Sequence, residues 1–133
     1  MTARTVLVQY KKLLYQFMSY LDGVDYSPRD DTTDKTLAFT TERLASITAD
    51  DVACYLNFKA YGTEHPAEDD CSPPLCRSNT LIFHKMAISY FMSSGMQWDE
   101  FGRIGNPTKS AAVRNVISKV RKYEIHHDRI RRH

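Results

Sequence analysis

The chain has 133 residues, of which 42% are hydrophobic and 26% charged. That is room for one domain around one core and too little for two. Its longest apolar runs, Val6–Val8 and Leu81–Phe83 among them, fall far short of the roughly 20 residues that cross a bilayer, and the residues after Met1 lack the apolar core and cleavage site of a secretory signal. An intracellular protein is therefore expected. Three cysteines, Cys54, Cys71 and Cys76, are too few and too odd in number for a disulfide framework.

Net charge is only +2, but the charge is unevenly placed. Residues 1–76 carry 7 Lys/Arg against 12 Asp/Glu, whereas residues 77–133 carry 11 against 4. Residues 103–133 alone hold 9 Lys/Arg against Glu124 and Asp128. A basic segment of this kind suits an anionic partner, nucleic acid above all, although a solvated helix face with a frayed tail has the same composition.

From Arg4 to Leu21, the residues Val6, Leu7, Tyr10, Leu13, Leu14, Phe17 and Leu21 recur at three- and four-residue steps, which predicts an amphipathic helix that stops at Gly23. Residues 22–36 hold five aspartates and Pro28 and read as an acidic connector. Leu37–Ser46 is too short to decide, with Thr40 or Thr41 able to start a helical turn. Thr48 with Asp51 three residues later predicts a capped second helix, with Val52, Tyr55 and Leu56 inward and Gly62 as its stop. Pro66, Pro73 and Pro74 make residues 62–76 a loop.

Ser78 is placed to cap a third helix reaching about Met92. Its apolar residues run nearly all round, with Lys85 and Ser89 as the only polar strip, so it is expected at the centre of the domain. Trp98–Phe101 reads as one helical turn. A last helix is expected from Thr108 to about Ile125, with Val113, Val116, Ile117, Val120 and Tyr123 as its buried stripe and a disordered basic tail behind it. Nothing alternates with period two for long enough to make a sheet, so the fold is expected to be all-α, a small bundle of four main helices plus short turns. The expected divisions are 1–23 for the first helix, 24–47 for the connector, 48–125 for the helical core and 126–133 for the tail.

On the last helix Arg114 and Arg121 stack seven residues apart, Ser118 lies between them and Asn115 and Lys122 lie further round. Arg and Asn can read base edges in the major groove, while Ser and Lys suit phosphates. Lys119 on the other flank could reach a backbone. Zinc on Cys71 and Cys76 with His65 or His84 is disfavoured by the spacing, and His84 reads better as a packed core histidine. Cys54 reads as a small buried residue. No serine elbow, phosphate-cradling glycine loop or enclosed carboxylate pair supports catalysis, and no cofactor is expected.

Several stretches form a pattern: Thr48-Ala49-Asp50-Asp51-Val52, Lys59-Ala60-Tyr61-Gly62-Thr63, Leu75-Cys76-Arg77-Ser78, Ala87-Ile88-Ser89-Tyr90-Phe91-Met92, Trp98 and Gly105-Asn106-Pro107-Thr108-Lys109-Ser110. Over residues 37–125 this pattern resembles the N-terminal core-binding region of Crypton-type eukaryotic tyrosine recombinases. The sequence departs from that family at His84, where the pattern has an aromatic, and at Met86, where it has a lysine.

The resemblance implies a SAM-like helical module that clamps one side of a DNA duplex. The family's catalytic residues would lie beyond Ile125, so no catalytic activity is expected; His126 and Arg129 match the family's His-x-x-Arg pair in letters only. The expected contacts to duplex DNA are Arg77, Lys85, Lys109, Arg114, Asn115, Ser118, Lys119, Arg121 and Lys122, with a nuclear location and scope for self-association on DNA. The rival expectation is a helical protein-interaction module that uses its acidic and basic halves.

Overall fold

The computed structural model describes residues 3–26, 39–92 and 96–131, without the side chains of residues 3–5 and 129–131. Five helices account for the described fold: α1 (Ala3–Asp22), α2 (Thr41–Ala45), α3 (Ala49–Tyr61), α4 (Ser78–Tyr90) and α5 (Ala111–Arg131). No strand occurs among the described residues. The all-α small bundle is thus the architecture, while residues 27–38 of the acidic connector lie outside the described residues.

Helix α1 packs chiefly on α4 and α3 chiefly on α5, and α4 also touches α3 and α5. Leu14, Phe17, Met18, Val52, Leu56, Leu81, Ile88, Val113 and Val120 are fully buried where these helices meet. Each such aliphatic or aromatic side chain contributes about 1.5–3 kcal/mol when removed from water. The rings of Phe17 and Tyr55 lie 5.1 Å apart and join α1 to α3 through the centre.

The helix ends follow local chemistry. Thr40 caps α2 through a hydrogen bond from the Arg43 amide to its hydroxyl oxygen. Thr48 and Asp51 form a reciprocal capping box: the Asp51 amide donates to Thr48 Oγ1 at 3.2 Å and the Thr48 amide to Asp51 Oδ2 at 3.0 Å. Gly62 ends α3 at φ 73°, a left-handed conformation that glycine adopts without a steric cost.

Three expectations need correction. Ser78 does not cap α4; Arg77 occupies the cap position without a side-chain bond, and the Ser78 hydroxyl instead donates to Glu124. Helix α4 is not enclosed, because Leu81, His84, Ala87 and Ile88 are buried while Phe83, Met86 and Tyr90 are 38%, 50% and 54% exposed. Trp98–Phe101 is not helical: the Asp99 amide donates to Ile104 O at 2.9 Å and the Arg103 amide to Asp99 O at 2.7 Å, closing a reversed turn. Gly105 follows it at φ 106°, where an added Cβ would stand 2.3 Å from Gln97 O.

The last helix also starts and stops elsewhere than expected. Pro107–Lys109 form a short 3-10 turn, Ser110 returns to extended backbone, and α5 begins at Ala111. Ser110 Oγ accepts from the Val113 amide at 3.2 Å, so this serine is the cap. At the other end the helix runs through the expected disordered tail to Arg131, while residues 132–133 lie outside the described residues.

Candidate nucleic-acid interface

The joint before α5 sets where that helix points. Asn106, 2% exposed, accepts at Oδ1 from the Thr108 amide at 3.0 Å and from Thr108 Oγ1 at 2.6 Å, and its Nδ2 donates to Ser89 Oγ on α4 at 2.9 Å. The Asn-Pro-Thr motif therefore ties α5 to α4 from within. The amides of Thr108 and Val113 have side-chain acceptors in Asn106 and Ser110.

Along α5, the residues Val113, Val116, Ile117 and Val120 are buried, whereas Arg114, Asn115, Ser118, Arg121 and Lys122 are exposed. The helical period separates the two sets, so five of the nine expected contacts share one outward face of a helix whose other side is fixed in the core. Tyr123, expected in the buried stripe, is half-buried and stacks on His127 with ring centroids 5.7 Å apart.

Lys119 points elsewhere. Its Nζ donates to Ala67 O at 3.2 Å and sits 4.8 Å from the Tyr61 ring centre, so it holds the 62–76 loop onto α5. The Asp70 carboxyl is held below its ordinary range chiefly by the Ser72 hydrogen bonds, with Lys119 adding to the effect.

Arg77 is drawn to Glu124, whose Oε1 lies 3.6 Å from Arg77 Nε. The same carboxylate accepts from the Ser78 amide at 2.6 Å and from Ser78 Oγ at 2.8 Å. Burial alone would raise the Glu124 pKa, but the two Ser78 bonds and the charges of Arg77 and Arg121 together hold it below the ordinary carboxylate value. An anion from α5 thereby occupies the N-terminus of α4, where the helix dipole favours it.

Lys85 and Lys109 border a separate hollow of about 350 Å³, with Tyr10, Met86 and Tyr90 around it. The Tyr10 ring lies 5.6 Å from both Phe83 and Tyr90. These rings form an aromatic patch across α1 and α4 that the sequence did not reveal, because the periodicity of α4 does not say which of its apolar sides meets solvent.

The expected core histidine is in place: His84 is 6% exposed and its ring lies edge-on to Tyr55 at 5.8 Å. Its Nδ1 has no hydrogen-bond partner, and burial, with Lys59 adding to it, lowers its pKa to about 4. Cys71 is exposed, the half-buried Cys76 thiol donates to Lys59 O at 3.8 Å, and neither belongs to a group of three metal-ligating side chains among the described residues. Cys54 is half-buried rather than buried. No described helix is long and apolar enough to cross a membrane. Compared with protein-family models, with curated proteins and with solved structures, the chain matches none.

Proposed function

We propose that this chain is a DNA-binding helical domain of the SAM-like, core-binding type, similar to that of Crypton-type tyrosine recombinases, that meets duplex DNA along the outer face of α5 and carries out no chemistry of its own. The observation that carries the reading is the division of α5, with Arg114, Asn115, Ser118, Arg121 and Lys122 exposed on one side and Val113, Val116, Ile117 and Val120 buried on the other. A rigid helix about 31 Å long with guanidinium and amide groups on one face fits the roughly 12 Å major groove, where arginine reads guanine and asparagine reads adenine. A nuclear location would follow from that activity.

The second reading, a protein-interaction module, draws on a different observation: the exposed Phe83, Met86 and Tyr90 with Tyr10 beneath them. Lone exposed apolar residues are ordinary, but neighbouring aromatics suit a partner's apolar side chains.

The test is binding to a mixed-sequence duplex, followed by fluorescence anisotropy from low to physiological salt. The parent should bind, with affinity falling steeply as salt rises. Arg114→Ala with Arg121→Ala should weaken binding by about 1–3 kcal/mol for each arginine that reads a base, with unchanged melting. A double variant that binds as tightly as the parent at every salt concentration would make this face a solvated surface. Absence of DNA binding, with self-association abolished by Met86→Asp, would favour the second reading.

A further inference from the structure

On the opposite flank of α3 from the core, three side chains of different chemistry converge. Cys54 Sγ, a Glu64 carboxylate oxygen and a His65 ring nitrogen all lie within 4.8 Å of one another. They come together because the chain reverses at Gly62 and runs back along α3, where Asn57, one turn after Cys54, donates from Nδ2 to Glu64 O at 3.2 Å. The His65 amide donates to Thr63 Oγ1 at 3.4 Å within the same turn. Tyr20, from α1, donates its phenol proton to the Glu64 carboxylate.

We propose that Cys54, Glu64 and His65 are the protein ligands of a zinc ion, with Tyr20 as a positioning residue and water in the fourth place. A thiolate, an imidazole and a carboxylate are the donor types zinc takes, and the thiolate argues against magnesium or calcium. Bonds of about 2.0–2.3 Å in a tetrahedral arrangement set ligand atoms about 3.3–3.6 Å apart. The three atoms need to close by about 1 Å, which rotation of the exposed Glu64 and His65 side chains supplies. Thiolate and carboxylate together balance the ion's charge, and the thiol proton leaves to solvent as the metal–sulfur bond forms. Asp50 and Asp51, four and three residues before Cys54 on the same helix, add negative potential. The phenol of Tyr20 orients the carboxylate as outer-sphere donors commonly do.

The sequence conceals this grouping. Glu64 lies ten positions after Cys54, and the two cysteines nearest each other in sequence, Cys71 and Cys76, are not the ones involved.

The full chain, stripped of metal, is titrated with cobalt(II) and then with zinc. One cobalt per chain should bind with a thiolate-to-metal charge-transfer band that zinc displaces, and zinc should raise the melting temperature. Cys54→Ala should abolish the band, whereas Cys71→Ser with Cys76→Ser should retain it. Glu64→Gln and His65→Ala, at exposed positions, should keep the parent's circular dichroism and lose about 10-fold or more in affinity, and Tyr20→Phe should lose about 10-fold through orientation alone. The absence of a band in the parent, a band that survives Cys54→Ala, or unaltered affinity in His65→Ala would each overturn the assignment.

Discussion

Glu124→Gln should move stability and DNA affinity in opposite directions. In the native chain the carboxylate, with 18% of its side chain exposed, accepts two hydrogen bonds from Ser78, which is itself 3% exposed. Glutamine keeps the shape and one carbonyl acceptor but loses the charge. Charge-assisted hydrogen bonds are worth about 1 kcal/mol more than neutral ones, and an anion at a helix N-terminus adds about 0.3–1 kcal/mol. With partial compensation by the amide, the loss is about 2 kcal/mol, or roughly 6–10 °C in melting temperature for a chain of this size.

The pH dependence carries the sign. Because the folded carboxyl titrates below its ordinary range, its contribution is present above the unfolded pKa and is lost as pH falls through the folded value. The gap between parent and variant should therefore be full at neutral pH and should close as pH falls below the ordinary carboxylate range. DNA affinity should rise about 2- to 5-fold at low salt, since a negative charge beside Arg121 has gone. Thermal melts across pH and anisotropy on the same preparations make the comparison. A variant as stable as the parent at neutral pH, or a gap unchanged by acid, would refute the account of Glu124 as the anion that anchors α4.

His84, held to about pKa 4 by burial and by Lys59, stays neutral in the fold while the unfolded chain takes up a proton near 6.5. Stability should consequently fall as pH drops from about 6.5 to about 4, by about 2 kcal/mol after allowance for screening, and His84→Phe should flatten that part of the melting profile. Val120→Ala, at a fully buried position on the inner side of α5, should cost about 2 kcal/mol in chemical denaturation and leave DNA affinity per folded molecule unchanged.

Helix positions were largely legible because they rest on local chemistry. The Thr48–Asp51 capping box and the Gly62 stop are read from four or five adjacent residues, and the Val113 to Val120 stripe follows from the helical period. What was not legible depends on partners distant in sequence. Ser78 is a plausible cap until Glu124, 46 residues away, takes its hydroxyl. Helix α4 has apolar residues on every side, and only the positions of α1, α3 and α5 decide that Leu81 and Ile88 go inward while Met86 and Tyr90 remain exposed. The Asn106-Pro107-Thr108 signature was visible as a motif, but its work, a hydrogen bond to Ser89 across the joint, was not. The Cys54, Glu64 and His65 grouping needed the chain reversal at Gly62 to exist at all.

The same distinction governs how the basic charge can be used. Seven of the nine expected contacts are cations, yet the fold sets the largely exposed Arg77 beside Glu124, ties Lys119 to Ala67 and the Tyr61 ring, and sets Lys85 and Lys109 around a different hollow. Among the nine expected contacts, only Arg114, Arg121 and Lys122 combine positive charge with the outer face of α5. Each phosphate neutralised on duplex DNA contributes about 0.9 to the slope of log affinity against log salt. Arg114→Ala, Arg121→Ala and Lys122→Ala should therefore each make the slope shallower by about that amount if the side chain holds a phosphate. Arg77→Ala and Lys119→Ala should leave it unchanged, and Lys119→Ala should instead expose the 62–76 loop to proteolysis. Equal slope changes from all five substitutions would mean that binding responds to overall basic charge, with no preference for the face that α5 turns outward.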